Sequence, residues 1–248
     1  MDYLILCCKD QLVVDKSKSK LSLLSQFKGL SDEKKILVSE TDGDRFFVCR
    51  CDDYLLSEDQ TFSLLRPLYL TMSAKEFQII CMASQLLYWH EHSAFCPACG
   101  AETKWLTVHS KICPQCQFEL YPTISPAIIV RVTRGDEILL VQGKNFSSDF
   151  YGLVAGFVEV GETFEECVCR EIKEETDLEV KNIRYWGSQS WPFPSNVMIG
   201  FTAEYASGEV HFQKEELKSA GFFAKNNLPN LPGEMSIARK LIDEWLNE

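Results

Sequence analysis

Short apolar runs separated by polar turns fill about the first ninety residues of the chain, and YLILCC and RFFVCRC are two of them. Runs of this length bounded by turns are typical of β-strands. A helical periodicity follows from Ala74 to His92. The pattern therefore predicts a small sheet followed by a helix, with a core that includes Met72, Phe77, Ile80, Leu87 and Trp89.

The second half of the chain has a different pattern. AIIVRVTRGDEILLVQG, which begins at Ala127, contains two β-prone runs around Arg134-Gly135-Asp136. A glycine turn between two such runs indicates a hairpin. Further strands are predicted from Ile183 to Ser188 and from Val197 to Tyr205, and the spacing from Ser236 to Leu246 predicts an amphipathic helix. At 248 residues the chain has room for two unequal domains.

The stretch GFVEVGETFEECVCREIKEETDL, from Gly156 to Leu178, combines a glycine loop with the start of a helix. Thr163 followed three residues later by Glu166 resembles a capping box. Apolar residues then recur at four-residue spacing. We therefore expect a buried stripe on this helix, formed by Phe164, Val168 and Ile172.

Three carboxylates on the same helix, Glu171, Glu174 and Glu175, project from a single turn because their spacing is i, i+3 and i+4. A solvated acidic face is the commonest outcome for such residues, and the spacing alone leaves it open. Carboxylates clustered behind a glycine loop are also the oxygen environment that magnesium or manganese uses when it holds phosphate. Such a cation would relieve the repulsion among the three side chains.

Charge and composition narrow the classes of partner. The net charge of -11 argues against a broad basic surface for nucleic acid, and any phosphate chemistry needs a cation to offset it. The chain is 46% hydrophobic, no apolar run has the length of a membrane span, and the amino terminus lacks the cleavage site of a secretory signal. We expect a cytoplasmic protein with no membrane insertion.

The chain has eleven cysteines, which in this context are expected to be reduced thiols. Seven of them are predicted to be small buried hydrophobic side chains: Cys7, Cys8, Cys49, Cys51, Cys81, Cys167 and Cys169.

The other four cysteines form two CxxC pairs, Cys96 with Cys99 and Cys113 with Cys116. Four thiolates on two facing knuckles satisfy tetrahedral zinc, and a site filled by protein is structural. Redox motifs are the alternative, but these call for a helix directly after the motif, and neither GAETK nor QFELYP begins one. The segment thus predicts structural zinc, with His109 facing solvent on a hairpin.

The helix and its glycine loop together resemble the Nudix box, written as G, five residues, E, seven residues, R-E-aliphatic-x-E-E-x-G-aliphatic. Asp177 stands where the family has glycine. This resemblance implies an enzyme that hydrolyses a nucleoside diphosphate linked to another group. The positions in register are Gly156, Glu162, Arg170, Glu171, Ile172, Glu174, Glu175 and Leu178.

A second motif, SQSWPFPSN, is similar to the SQPWPFPxS array of the NADH pyrophosphatase subfamily, with Ser190 in place of proline and Asn196 in place of serine. That subfamily also carries a four-cysteine zinc ribbon followed by a Tyr-Pro pair. The rings of Trp191 and Phe193 offer faces on which a base can stack, and the two prolines stiffen the loop. The alternative interpretation is an aromatic turn that packs on the core. The substrate contacts predicted here are Gln189, Ser190, Trp191, Pro192, Phe193, Pro194, Ser195 and Asn196.

The resemblance implies further roles. Tyr121 and Phe157 would line a nicotinamide pocket, Ala238 would contact substrate, and Arg66 would match a substrate arginine of the first domain. The catalytic residues would be Glu171, Glu174 and Glu175. The Mg²⁺ or Mn²⁺ ligands would be the carbonyl of Ala155 with Glu171, Glu174, Glu175 and Glu216, and Glu215 is the second choice for the last. The zinc ligands would be Cys96, Cys99, Cys113 and Cys116.

The resemblance implies an α/β fold in which a small α+β domain (1–93) and a zinc ribbon (94–122) precede a Nudix α/β/α sandwich (123–248). The expected reaction is hydrolysis of the pyrophosphate of NADH or NAD to nicotinamide mononucleotide and AMP, in a homodimer. The alternatives are removal of the NAD cap from RNA by the same site, action on ADP-ribose or coenzyme A, and a non-catalytic zinc-ribbon binding module.

Overall fold

A computed structural model describes residues 1–18, 20–27, 30, 35–144 and 149–248. The chain divides into two compact units. The first comprises residues 1–124 together with the turn 192–195, and the second comprises residues 125–191 and 196–248.

The first unit begins with a five-stranded sheet in the order β3-β4-β1-β2-β5. Strands β1 and β4 are parallel, and the other neighbours are antiparallel. Two helices follow, α1 (Leu65–Leu68) and α2 (Ala74–His92), and the second has the bounds that the periodicity predicted. The strands are β1 (Asp2–Cys8), β2 (Gln11–Asp15), β3 (Ile36–Thr41), β4 (Asp44–Arg50) and β5 (Gln60–Ser63).

Ser73 caps the start of helix α2. Its hydroxyl accepts a hydrogen bond from the backbone N–H of Glu76, and the Glu76 carboxylate accepts one from the backbone N–H of Ser73. This reciprocal pair is a capping box. The helix buries Ile80, Leu87 and Trp89 against the sheet, in the main core of this unit. The rest of the unit is a three-stranded ribbon of β6 (Lys104–Thr107), β7 (Ser110–Ile112) and β8 (Glu119–Leu120).

The second unit is built on a six-stranded sheet in the order β12-β13-β9-β10-β14, with β11 added to β9. The predicted hairpin joins β9 to β10, and its Gly135 adopts a φ of 58°. Strands β9 and β13 are parallel. The strands are β9 (Ser125–Arg134), β10 (Glu137–Gly143), β11 (Val154–Phe157), β12 (Glu179–Trp191), β13 (Asn196–Ser207) and β14 (Leu217–Ala224).

One helix covers each face of this sheet. Ile128 and Val130 of β9 point to the core under α3 (Phe164–Thr176), and Ile129 between them points to the core under α4 (Ile237–Asn247). Successive strand residues alternate between faces, so one strand serves both cores. The α/β/α sandwich that the sequence predicted is confirmed.

Three burial predictions were wrong. Phe164 is 40% exposed because it lies in the first turn of α3, and the buried residues of that helix begin at Cys167 and Val168. Cys169 is exposed because it follows Val168 by about 100° around the helix, away from the sheet. Cys51 is only half-buried, one residue beyond the end of β4.

No helix within the described ranges combines the length and the apolar character that a membrane crossing requires.

Candidate active site

The glycine loop and α3 are held together by Arg170. Its guanidinium donates to both oxygens of Glu162 at 2.8 and 3.0 Å and to the carbonyl of Phe157 at 2.9 Å. The same side chain donates to Glu171 at 2.8 Å and to Glu174 at 3.0 Å. Hydrogen bonds from Arg170 lower the pKa of Glu162 to about 2, so this carboxylate stays charged. Arg170 thereby fixes the loop against the helix and orients two of the predicted catalytic side chains.

Gly156 leaves room for the carboxyl group of Glu171. A Cβ atom at position 156 would lie 1.8 Å from Glu171 Oε1, so any residue larger than glycine at this position would displace the Glu171 carboxylate. Glycine at position 156 is therefore needed to keep the Glu171 side chain where it lies. The preceding residue, Ala155, pairs with Ile129 in the sheet and places its backbone on the same short strand.

Glu175 is the most buried of the three helix carboxylates, at 7% exposed. Its Oε2 is buried, and it has no hydrogen-bond partner among the described residues. Burial, followed by the charges of Glu171, Glu216 and Glu174, raises the pKa of Glu175 to about 8. Burial also raises the pKa of Glu171. An unpartnered buried carboxylate oxygen of this kind is suited to bind a cation.

Glu216 lies in the loop before β14, and this loop is tied to the carboxyl end of α3. The backbone N–H of Gln213 donates to the carbonyl of Glu175 at 3.1 Å, and that of His211 donates to Thr176 at 3.0 Å. These bonds satisfy two carbonyls that a helix end leaves without a partner. After burial, the Glu216 charge contributes to the raised pKa values of Glu171 and Glu175.

The donor set fits a divalent cation. Glu171, Glu174, Glu175 and Glu216 supply hard carboxylate oxygens, and the orphaned Oε2 of Glu175 is what a missing ligand would leave behind. Glu174 is more open than the others, with 55% of its side chain exposed. Among the described residues, only the four cysteines bring three or more potential ligand atoms within 4.8 Å of one another, so the glutamate oxygens are more widely spaced than that.

Asp177, the departure from the box, adopts a left-handed conformation with φ 59° and ψ 17° just past α3. This is the conformation for which glycine is usual, and aspartate is among the residues that tolerate it. Its carboxylate pairs with Lys173 at 2.5 Å and lies 3.6 Å from His211. Asp177 thus acts as a helix terminator.

The predicted substrate array forms the turn between β12 and β13. Trp191 pairs with Asn196, and the turn 192–195 includes a cis peptide bond between Phe193 and Pro194. Trp191 and Asn196 are half-buried and Ser190 is exposed. Pro192 and Ser195 are buried, Phe193 is half-buried and Pro194 is exposed, and the Ser195 hydroxyl donates to the carbonyl of Thr123.

The amide of Gln189 is engaged inside the protein. Its Nε2 donates to the carbonyl of Met235 at 2.8 Å, and its Oε1 accepts from the backbone N–H of Ile237 at 2.7 Å. Both bonds organise the amino terminus of α4. The role of Gln189 as a substrate contact stays a prediction, and the structure shows that it positions this helix.

The remaining predicted contacts lie in different surroundings. The guanidinium carbon of Arg66 lies 4.5 Å from the centre of the Phe193 ring, so these two predicted contacts touch within the first unit. Tyr121 is exposed and donates to Glu119. Phe157 is 57% exposed at the end of β11, whereas Ala238 is buried in the core under α4.

The four cysteines converge in the ribbon. Their sulfur atoms all lie within 4.8 Å of one another, with 3.6 Å between Cys96 and Cys116 and 3.5 Å between Cys99 and Cys113. A tetrahedral zinc ion with bonds of about 2.3 Å requires sulfur atoms about 3.8 Å apart. The cluster is therefore compatible with zinc, as the sequence predicted. His109 is exposed between β6 and β7.

The two CxxC segments share one backbone geometry. Cys96 accepts from the N–H of Gly100 and donates to Ala101, and Cys113 accepts from Gln117 and donates to Phe118 in the same way. Gly100 and Gln117, the residues after each pair, both have positive φ, at 78° and 62°. The backbone N–H of Cys116 lowers the pKa of Cys113 to about 7, whereas burial and the other thiols of the cluster raise the pKa of Cys116 to about 12. No helix follows either pair, in contrast to a thioredoxin-like motif.

Comparisons with known proteins identify the family to which the chain belongs. The NUDIX domain family matches residues 123–245. The NAD-capped RNA hydrolase NudC of Pseudomonas aeruginosa PAO1 is 42% identical over 211 residues, covering 84% of this chain and 76% of that protein. The protein of the same name from Pseudomonas syringae pv. tomato DC3000 is 40% identical over 208 residues, covering 84% and 75%. The chain belongs to the Nudix hydrolase family.

Within that family, the sequence is thus similar to proteins named for action on NAD-capped RNA. A crystal structure of a NUDIX hydrolase from Nitrosomonas europaea superposes with a TM-score of 0.54 at 23% identity, covering 62% of this chain and 90% of that one. This likeness supports the Nudix fold.

Sequence reasoning missed the roles of three residues that hold the loops of the site against α3. Arg170 and Glu162 were recognised as box positions, but their bidentate pair was not foreseen as the connection between loop and helix. The signal was their eight-residue separation, which places the end of the loop and the second turn of α3 within reach of each other. His211, which helps to tie the Glu216 loop to α3, belongs to no motif.

Proposed function

We propose that this protein hydrolyses the pyrophosphate bond of NADH or NAD to give nicotinamide mononucleotide and AMP. The observation that carries the reaction type is the buried Glu175 oxygen without a partner, next to Glu171 and Glu216, in a Nudix fold. The similarity to NAD-capped RNA hydrolases and the SQSWPFPSN array support the choice of substrate.

The catalytic cation would be magnesium or manganese, and Glu171, Glu174, Glu175, Glu216 and the carbonyl of Ala155 would hold it. When bound, it neutralises phosphate charge and makes a water molecule more acidic. One of the glutamates accepts a proton from the attacking water. The oxygen of that water bonds to one phosphorus atom, and the bond between this phosphorus and the bridging oxygen breaks, so that the other phosphate leaves with the bridging oxygen. Arg170 holds Glu171 and Glu174 in place throughout.

The aromatic residues bind and orient the dinucleotide. Phe157 and Tyr121 each have an exposed ring, and the resemblance to the NADH pyrophosphatases assigns both to the nicotinamide. It assigns the rings of Trp191 and Phe193 to the substrate as well. Arg66, stacked on Phe193, places a cation beside that ring for phosphate. The four-cysteine cluster binds structural zinc, which stabilises the ribbon.

Removal of the NAD cap from RNA is the second candidate function, because it breaks the same bond and is the activity in the names of the relatives. The net charge of -11 disfavours long RNA contacts, so we expect recognition to concentrate on the cap and the adjoining nucleotides. We further propose that the protein acts as a cytoplasmic homodimer.

A substrate panel tests the proposed function. NADH, NAD, ADP-ribose, coenzyme A and NAD-capped RNA are incubated with magnesium or manganese, and the products are identified by chromatography. We expect NADH to have the highest kcat/KM among the small molecules, with AMP and nicotinamide mononucleotide released in equal amounts. Clearly higher efficiency on ADP-ribose or coenzyme A would reject this substrate assignment while leaving the family intact.

A further inference from the structure

Two cysteines that the zinc site does not use lie opposite each other in the sheet of the first unit. Strands β1 and β4 are parallel, and the last pair in their register is Cys7 with Arg50. The backbone N–H of Cys51 donates to the carbonyl of Cys7 at 2.9 Å, which continues the parallel ladder one residue beyond β4. Cys8 and Cys51 are therefore the next neighbours across the two strands.

The direction of the side chains separates this pair from the other two cysteines of the sheet. Cys8, Cys49 and Cys51 belong to the smaller core of the unit. Cys7 belongs to the core under α2, on the opposite face. Cys49 lies two residues back along β4, which puts its Cα about 8 Å from that of Cys8. Cysteines with Cα atoms more than about 7 Å apart are not bridged without backbone movement, so Cys51 is the suitable partner of Cys8.

The spacing and orientation of Cys8 and Cys51 suit a covalent bond. Partner residues on neighbouring strands are about 4.8 Å apart, which lies inside the range of about 4.4 to 6.8 Å between the Cα atoms of a disulfide. Sγ of Cys8 already points toward position 51, since it donates to the carbonyl of Cys51. Burial raises the pKa of Cys8, and the charge of Cys51 raises it further, as expected for two thiols close together.

The two thiols differ in their access to solvent. Cys8 is 5% exposed, and Cys51 is half-buried just beyond the end of β4. Thiol–disulfide exchange begins at a thiol that the reagent reaches. A small oxidant therefore meets Cys51 first, and Cys8 is the second thiol.

We propose that Cys8 and Cys51 are a modification site, at which a low-molecular-weight disulfide introduces a reversible disulfide bond that stabilises the first unit. The Cys51 thiolate attacks one sulfur of the reagent, the S–S bond of the reagent breaks, and one small thiolate leaves. The Cys8 thiol then loses its proton to solvent, its sulfur bonds to Sγ of Cys51, and the second small thiolate leaves. The two cysteines are oxidised, and the reagent is reduced to two thiols.

The bond would join β1 to the chain just after β4, across a separation of 43 residues. A crosslink over such a distance restricts the unfolded chain, which favours the folded unit. The exchange runs backwards when a small thiol is in excess, so the state of the pair follows the thiol–disulfide balance of its surroundings. This site is separate from the proposed hydrolysis and does not depend on it.

Peptide mapping tests whether the bond forms. The full chain, without denaturant, is equilibrated with oxidised glutathione, remaining thiols are alkylated, and the protein is digested with trypsin. The positions of lysine and arginine place Cys7 and Cys8 in peptide 1–9, Cys49 in peptide 46–50 and Cys51 in peptide 51–75. Mass spectrometry identifies linked peptides, and fragmentation assigns the sulfur atoms.

We expect peptide 1–9 linked to peptide 51–75 to account for more than about half of the latter, and dithiothreitol to remove the link. Cys8→Ala and Cys51→Ala should each abolish this linked peptide. The matched control Cys7→Ala should retain it, because the Cys7 side chain lies on the other face of the sheet. If Cys8→Ala fails to fold, the fragmentation spectrum of the wild type and the Cys7→Ala map decide the assignment.

Thermal denaturation tests the stabilising role. Wild type and Cys51→Ala are compared before and after the same oxidation, so that changes at the other thiols occur in both. We expect oxidation to raise the Tm of the wild type, relative to the change in Cys51→Ala, by about 3 °C or more.

Several results would overturn the proposal. These are a wild type in which Cys8 and Cys51 stay open to alkylation or carry separate glutathione adducts, and a link from Cys51 to Cys7. Disulfides confined to the four-cysteine cluster, or a link found only between two chains on a non-reducing gel, would also reject it. An equal change of Tm in wild type and Cys51→Ala would reject the stabilising role.

Discussion

At the scale of single residues, Glu175 shows how burial prepares a carboxyl group for a cation. In the metal-free protein its pKa of about 8 lies well above the ordinary value of 4.5, because the charged form is desolvated and faces three other carboxylates. A divalent cation reverses that preference by stabilising the charged form.

This shift predicts a stability that depends on pH. Between about pH 5 and pH 8 the folded, metal-free protein binds more protons at Glu175 than the unfolded chain does, so stability falls as pH rises through this window. Glu175→Gln should lose this dependence and be more stable than wild type at pH 9 by roughly 1 to 3 kcal/mol. Chemical denaturation of both proteins from pH 5.5 to 9, without added divalent cation, measures the difference. Parallel profiles would contradict the burial of an uncompensated carboxyl group here.

Asp177 gives a second prediction at this scale. Asp177→Gly relieves a left-handed backbone but loses the exposed pair with Lys173, so we expect a change in stability of at most about 1 kcal/mol and turnover within a few fold. Asp177→Ala should be the less stable of the two variants, because alanine gains nothing from this conformation. Thermal denaturation and initial rates test both, and a collapse of turnover in Asp177→Gly would reveal a catalytic role for this carboxylate.

At the scale of elements, the contact between β11 and α3 fixes Glu171. Gly156→Ala places a methyl group where the Glu171 carboxyl lies, and this carboxyl is the far end of a flexible side chain that can move aside. We therefore expect a fall in kcat of about tenfold or more, with a stability loss of at most about 1 kcal/mol. Gly221→Ala on β14 is the matched control, since its new methyl group would meet its nearest atom at 3.8 Å. Equal kcat in Gly156→Ala and Gly221→Ala would show that the position of the Glu171 carboxylate does not matter for the reaction.

The ribbon is an element that depends on its metal. Cys113→Ser should lose about one equivalent of zinc and lower the melting temperature, since metal binding contributes folding free energy. Cys169→Ser, which changes an exposed thiol on α3, should retain both zinc and stability. Elemental analysis and thermal denaturation of the two variants provide the measurement. Full zinc content in Cys113→Ser would exclude the four-thiolate site.

The elements that the sequence predicted best were those with local start signals. Thr163 opens the predicted capping box, and α3 begins where that motif places it. Periodicity alone predicted α2, and the structure adds a capping box at Ser73. The burial of Phe164 was predicted wrongly because periodicity shows which side of a helix is apolar but not where the sheet beneath it ends. Asp177 stands at the glycine position of the box, and its αL backbone is the conformation for which glycine is usual.

At the scale of the whole molecule, long-range partners limited what the sequence could predict. The amide of Gln189 bonds to Met235 and Ile237, more than forty residues away, so no local pattern indicates that it organises α4. The stacking of Arg66 on Phe193 joins positions even farther apart. The four-cysteine site and the Nudix box could be predicted from the sequence, because their residues are close together in the chain and their chemistry demands particular residue types.

The α3 carboxylates are proposed to drive metal-dependent hydrolysis of NADH, and two variants that each remove one charge from α3 test this. Glu174→Gln and Glu165→Gln each remove one charge from α3. Of these two glutamates, Glu174 is the one that accepts a hydrogen bond from Arg170. AMP release from NADH is measured for both variants and the wild type, with and without magnesium. We predict that Glu174→Gln lowers kcat by roughly two orders of magnitude while Glu165→Gln stays within a few fold, and that all activity requires the added cation. Equal rates in the two variants, or full activity without a divalent cation, would contradict the claim.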